Sequence, residues 1–257
     1  MKDRIRARHD GHAKGYGANQ KRAWKQLLGY DEYLNFGYWT EDTKTGREAC
    51  ERMLDLLLER IPDKTGRILD VACGMGATSR YLTKHYPAES ITGINISPEQ
   101  VAQCRRALPG AEFRVMPAES LDFADASLDN ILCVEAAFHF ETRADFLAEA
   151  FRVLKPGGRL VLSDVLVDVP MPLQPAANRV AGIEAYRAIY TDIGFVSVEI
   201  TDATQECVIR QTEVMWRWLK RLHHRGLLDR TNALRQRRIL VQRRRHQTYV
   251  LVGARKP

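Results

Sequence analysis

The sequence predicts an α/β fold built on a seven-stranded, mostly parallel sheet, and three observations lead there. Short β-branched runs alternate with helical patterns from Arg67 onward. The first run, ILDVACGMG at Ile68 to Gly76, ends in a glycine turn that opens directly into a helix. At 257 residues and 45% apolar content, the chain is long and apolar enough to cover such a sheet on both faces.

Strand and helix in alternation mean parallel βαβ units. RILDVA is the first strand, and a helix from about Ala77 to His85 follows. SITGINI is the second, followed by a helix from Pro98 to Ala107. That helix has a complete start signal, with Ser97 at the N-cap, Pro98 at the first position and Glu99 in the first turn. AEFRVM and LDNILCVE are the third and fourth strands; a helix from Arg143 to Leu154 and the turn Lys155-Pro156-Gly157-Gly158 lead into the fifth, RLVLSDVL. Apolar runs of this kind suit strands buried on both faces. After the loop VPMPLQP come a short helix around Ile183 to Ile193, the strand FVSVEIT and a last strand, QTYVLVGARK.

Residues 1–66 read as a helical lid, in which the aromatic run YDEYLNFGYW precedes an amphipathic stretch from Ala49 to Ile61. Residues 67–257 form the core, interrupted at about 205–246 by a helical insertion before the last strand. Val214, Met215, Trp218, Leu219 and Leu222 recur there at helical spacing.

The insertion also carries the charge. Between Cys207 and His246 there are 12 Lys or Arg against 2 Asp or Glu, leaving 27 against 30 in the rest of a chain whose net charge is +7. Such a run serves nucleic acid, an anionic surface or an acidic substrate, or is simply a solvated helix face. No aromatic-and-basic stacking pattern accompanies it, so nucleic acid is disfavoured, while weak contact with an anionic surface stays open. No stretch approaches the ~18 apolar residues of a membrane span, and MKDRIRARHDGHAKGYG lacks the apolar centre of a signal peptide. A cytoplasmic location is the expectation. Five widely spaced cysteines with no C-x-x-C pair read as free thiols. No Asp, Glu and His cluster has ligand spacing, so no metal is expected, and the oligomeric state is left open.

At the glycine turn, Gly74 and Gly76 let backbone amides approach a ligand where a Cβ would block both turn and contact. Gly74-x-Gly76-x-x-Ser79 lacks the third glycine of the dinucleotide fingerprint. The ordered succession D-x-A-C-G-x-G, GINIS, PAESLDF and VLKPGG resembles the class I S-adenosylmethionine-dependent methyltransferases over roughly Tyr33 to Val165. The resemblance implies a Rossmann-like sheet with the last strand antiparallel, and S-adenosylmethionine as cofactor. Carried over, Asp70 lies near the methionine part of that ligand, and the backbone from Ala72 through Gly74 to Gly76 wraps it. Asn95, followed by Ile96, stands where relatives usually have a carboxylate on the ribose hydroxyls; an amide oxygen still accepts, without the charge. Gln100 matches another cofactor-touching position. Pro117 replaces the usual Asp at the adenine, leaving that contact to Glu119 and the N–H of Ala118. Glu135 lies near the cofactor end of the cleft. Tyr38 and Trp39, with Phe36 and Phe138, form a lid over the positive sulfur in this reading, and ordinary core in the plainer one.

Methyl transfer to a hydroxyl needs a positioned acceptor and a base for its proton. His139 lies one turn beyond the fourth strand and Asp164 ends the fifth, both where open α/β sheets bind ligands. An imidazole backed by a carboxylate is a suitable base. The plain alternative is a His that caps a helix and an Asp that ends a strand. The stretch from Val134 to Asp164 resembles O-methyltransferases acting on macrolides and other glycosylated natural products, where the corresponding pair is proposed as catalytic. That implies methyl transfer to a hydroxyl of a bulky small-molecule metabolite. Carbon or nitrogen methylation of an anionic, lipid-like or isoprenoid acceptor is the alternative, and an RNA-binding methyltransferase a more distant one.

Overall fold

The computed structural model describes residues 33–167, 169, 174–226 and 228–257; the expectation for residues 1–32 lies outside them. Seven strands form one sheet: β1 (Ile68–Val71), β2 (Ile91–Asn95), β3 (Glu112–Val115), β4 (Leu128–Val134), β5 (Leu154–Val167), β6 (Val196–Asp202) and β7 (Gln247–Arg255). Their order is β3-β2-β1-β4-β5-β7-β6. β1 to β5 pair in parallel, and β7 runs antiparallel to both of its neighbours. Seven strands with an antiparallel last one match the expectation.

Several helices begin where a short polar side chain caps them. Thr45 accepts the N–H of Glu48 at the start of α1 (Gly46–Leu58), which therefore opens ahead of the apolar periodicity. α2 (Ala77–Leu82) is shorter than the pattern suggests. The N–H groups of Thr83, Lys84 and His85 all bond three residues back, tightening the chain out of the α-helix. Ser97 caps α3 (Pro98–Ala107) as its sequence signal indicates, and Thr142 caps α4 (Arg143–Val153). α5 (Ile183–Ile193) ends at Gly194, in the left-handed region.

Successive strand residues face opposite sides, so the sheet builds two cores. Leu132 and Val161 point to one face, where Met53, Leu54, Leu57 and Leu58 of α1 cover them. Ile131 and Leu162 point to the other, under Phe146 and Leu147 of α4 and Tyr186 and Tyr190 of α5. The insertion consists of a π-helical turn (Gln205–Arg210), α6 (Gln211–His224) and α7 (Arg230–His246). Met215 and Leu219 of α6 are buried in the α1-side core, with Val214 and Trp218 partly buried beside them. Among the described residues, no helix is long and apolar enough to cross a membrane. Strand order reverses between β1 and β4, which places a crevice outside the carboxyl ends of those strands.

Candidate active site

That crevice is a cleft partly open to solvent. Asp70 and the Ala72–Gly74 turn come from the β1 end, Asn95, Ile96 and Gln100 from the β2 end, and Glu135, Ala136 and His139 from the β4 end. Ala118, Glu119 and the stretch from Tyr33 to Asn35 complete the lining.

The backbone is strained on both sides of the strand reversal. Ala72 directly after β1 has φ +58°, and Glu135 directly after β4 has φ +50°, values that residues with a Cβ seldom adopt. Gly74 and Gly76 continue the left-handed turn at φ +55° and +83°. A Cβ on Gly76 would lie 3.0 Å from the Sγ of Cys104, so this turn and α3 pack too closely for a larger residue.

Four acidic residues line the cleft, and two of them, Asp70 and Glu135, have strongly shifted carboxyls. Asp70 is buried and accepts a hydrogen bond from Ser79 Oγ at 2.6 Å; burial pushes its carboxyl up to about 7, against the pull of that bond. Glu135 accepts from the N–H of Phe36 and the hydroxyl of Tyr249, both at 2.7 Å. Burial pushes its carboxyl up to about 8, opposed by those two bonds and by Arg243. Both folded values lie above the unfolded ones, so in the ligand-free protein these groups contribute stability in acid that is lost as pH rises through about 7 and about 8. A cationic ligand reverses that balance by stabilising the ionised forms.

Asn95 is built into the loop. Its Nδ2 donates to Gln100 Oε1 at 2.8 Å and Gly74 O at 3.3 Å, and its Oδ1 accepts the N–H of Ser97 at 3.1 Å. The amide oxygen that the sequence offered to a ribose thus already holds one bond. Glu119 Oε1 accepts the N–H of Glu141 at 2.6 Å and so fastens the loop that carries His139.

His139 ends a 3-10 turn (Ala137–His139) and lines the cleft, its ring 3.9 Å from that of Phe138. Asp164 is fully buried and does not line it. Asp164 Oδ1 accepts the N–H groups of Phe138 at 3.1 Å and Val165 at 2.8 Å, and Oδ2 accepts Arg143 Nε at 2.6 Å and the Tyr186 hydroxyl at 2.8 Å. The sequence placed Asp164 behind His139 as its partner carboxylate; the structure gives these four bonds to other groups. Burial pulls the Arg143 guanidinium down, but Asp164 outweighs it and the net shift is upward. Arg143 also donates to the carbonyls of Asn178 and Val165, and Asn178 Nδ2 donates to Phe140 O at 2.7 Å and Ala137 O at 3.2 Å. Asp164, Arg143 and Asn178 therefore form a frame around the turn that presents His139. Of these, Arg143 and Asn178 carried no signal in the sequence.

The aromatic run divides between core and rim. Trp39 is buried and donates Nε1 to Phe36 O at 2.7 Å, and Tyr38 packs partly buried against the α1-side core. Neither lines the cleft, where Tyr33, Leu34 and Asn35 stand instead. Phe36 is buried, with Arg243 of α7 4.9 Å above its ring and Tyr249 5.8 Å away. Phe138, also offered as lid, packs partly buried against the same core.

Residues 69–162 match the methyltransferase domain family. The chain is 32% identical over 198 residues to the 27-O-demethylrifamycin SV methyltransferase of Amycolatopsis mediterranei, covering 70% of this chain and 72% of that one. It is 44% identical over 172 residues to the 2-methyl-6-phytyl-1,4-hydroquinone methyltransferase of Synechocystis sp., covering 59% of this chain and 53% of that one. Among solved structures, phosphoethanolamine N-methyltransferase 2 of Haemonchus contortus, in complex with S-adenosyl-L-methionine, shares the fold with a TM-score of 0.73 at 15% identity, over 97% of this chain and 60% of that one.

Proposed function

The chain belongs to the class I S-adenosylmethionine-dependent methyltransferases, and from that premise we propose that it transfers the methyl group to a hydroxyl of a bulky small-molecule metabolite. The observation that carries this reading is His139, an imidazole lining the same cleft as the glycine turn and the two carboxyls. The family's cofactor fits that cleft. Gly74, without a Cβ, lines it, Gly76 shapes the turn from behind, and Asp70 and Glu135 offer carboxyls to a ligand with sulfonium and ammonium charges. In this reading Asp70, Ala72, Gly74, Ile96, Gln100, Ala118, Glu119 and Glu135 hold the cofactor, with Gly76 shaping the turn. S-adenosylmethionine, when bound, supplies an electrophilic methyl group on an already activated leaving group. His139 accepts the proton of the acceptor hydroxyl as its oxygen attacks, and the frame of Asp164, Arg143 and Asn178 fixes the turn in place. Five widely spaced cysteines with no C-x-x-C pair suit action in a reducing cytoplasm in this reading.

A second reading, methylation of an isoprenoid hydroquinone, is favoured by the likeness to the Synechocystis enzyme. Methyl-labelled cofactor offered with a hydroxylated macrocycle and, separately, a prenylated hydroquinone tests both. Label on a macrocycle oxygen is expected. Label confined to a ring carbon of the hydroquinone would replace the first reading with the second.

A further inference from the structure

We propose that α7, with the outward side of α6, docks the protein on a bilayer surface of anionic lipids. Among the described residues, five large apolar side chains are exposed, and three of them, Leu234, Ile239 and Val241, stand on α7. Its contact with the core runs through Leu240, which is buried, and Arg243, which packs over Phe36. On the opposite side Leu234, Arg238, Val241 and Arg245 follow at helical spacing and are all exposed. Beside α7, Trp216 of α6 is half-buried against the α1-side core, with Lys220 Nζ 5.2 Å and the Arg237 guanidinium 5.4 Å from its ring centre. A solvated helix accounts for the arginines but less readily for Leu234 and Val241 left in water among them; Ile239, also exposed, lies on another side of the helix.

Lipid suits this composition better than RNA does. Single-stranded RNA is held by stacking its bases on open aromatic rings, whereas the apolar side chains open on α7 are aliphatic, and cations already cover Trp216. At a bilayer the aliphatic tips enter the acyl boundary while long arginine stems carry their charge to the phosphates. The 12 cations against 2 anions of residues 207–246, beside 27 against 30 elsewhere, also give the molecule one attracting side. With so few aliphatic residues the contact is mainly electrostatic and salt-sensitive. The same helix carries Arg243 over Phe36, whose N–H bonds Glu135, so the docked helix touches the wall of the cleft.

Sedimentation of the full chain with phosphatidylcholine vesicles, with and without a third of phosphatidylglycerol, tests this independently of any acceptor. Binding is expected to the anionic vesicles alone and to be released by high salt. Arg238→Glu with Arg245→Glu is expected to lower it by more than ~tenfold, since each cation near the surface contributes roughly a fivefold factor. Leu234→Ser with Val241→Ser is expected to lower it several-fold. Both variants should keep the wild-type melting temperature and cofactor affinity, because neither pair touches the core or the cleft. Equal, negligible binding to both vesicle types overturns the proposal, as does binding that neither variant changes. Preferential binding of random RNA, indifferent to the two serine substitutions, overturns it in favour of nucleic acid.

Discussion

Replacing Arg143 with methionine is expected to destabilise the protein by about 3–5 kcal/mol, because it strands Asp164 as a buried charge without its cation. Their side chains are 2% and 0% exposed, so water cannot take the place of the guanidinium. The variant also leaves the carbonyls of Asn178 and Val165 without that donor. Urea unfolding would read the loss as a lower midpoint at unchanged slope. Combining Arg143→Met with Asp164→Leu should recover only the part due to the stranded charge, since the N–H groups of Phe138 and Val165 and the Tyr186 hydroxyl then lose their acceptor. A cost below ~1 kcal/mol for the single variant would mean that the frame around the His139 turn is not held by this pair.

The largest effect on activity is expected at His139 itself. His139→Ala should lower turnover by about 10²–10⁴-fold, the usual range for removing a general base, and leave cofactor affinity unchanged. Arg143→Met should act differently, weakening turnover through a loosened turn and lowering stability with it. Single-turnover rates measured beside cofactor affinity separate the two patterns. Unchanged turnover in His139→Ala would remove it as the base.

The sheet was legible because each strand announces itself locally, by a β-branched run bounded by glycine, proline or a cap such as Ser97. The cofactor turn was legible for the same reason, since Asp70, Gly74 and Gly76 fall within one short segment. What stayed hidden depends on partners distant in the chain. Arg143 reads as an ordinary first residue of a helix, and nothing nearby shows that it points back to Asp164, 21 residues away in sequence. Glu135 meets the Tyr249 hydroxyl across 114 residues and the N–H of Phe36 across 99, contacts that only the closed sheet creates. Tyr38 and Trp39 were candidates for a lid because an aromatic run carries no record of which ring faces inward. Trp39 turns into the core to satisfy its indole N–H on Phe36 O, and the rim falls to Tyr33, Leu34 and Asn35. The basic insertion was visible as charge, but its exposed aliphatic stripe emerges only once Leu240 and Arg243 fix the inward side of α7.

The measurement that tests the account most directly is a calorimetric titration of the protein with S-adenosylmethionine in buffers of different ionisation enthalpy. Without ligand the Asp70 and Glu135 carboxyls titrate at about 7 and about 8, and a cation beside them should lower both values. Binding near neutral pH should therefore release protons, and affinity should rise with pH until both groups are ionised in the free protein. Asp70→Asn should bind more weakly and release fewer protons. Binding with no proton release, at a pH-independent affinity that Asp70→Asn shares, would place the cofactor outside this cleft.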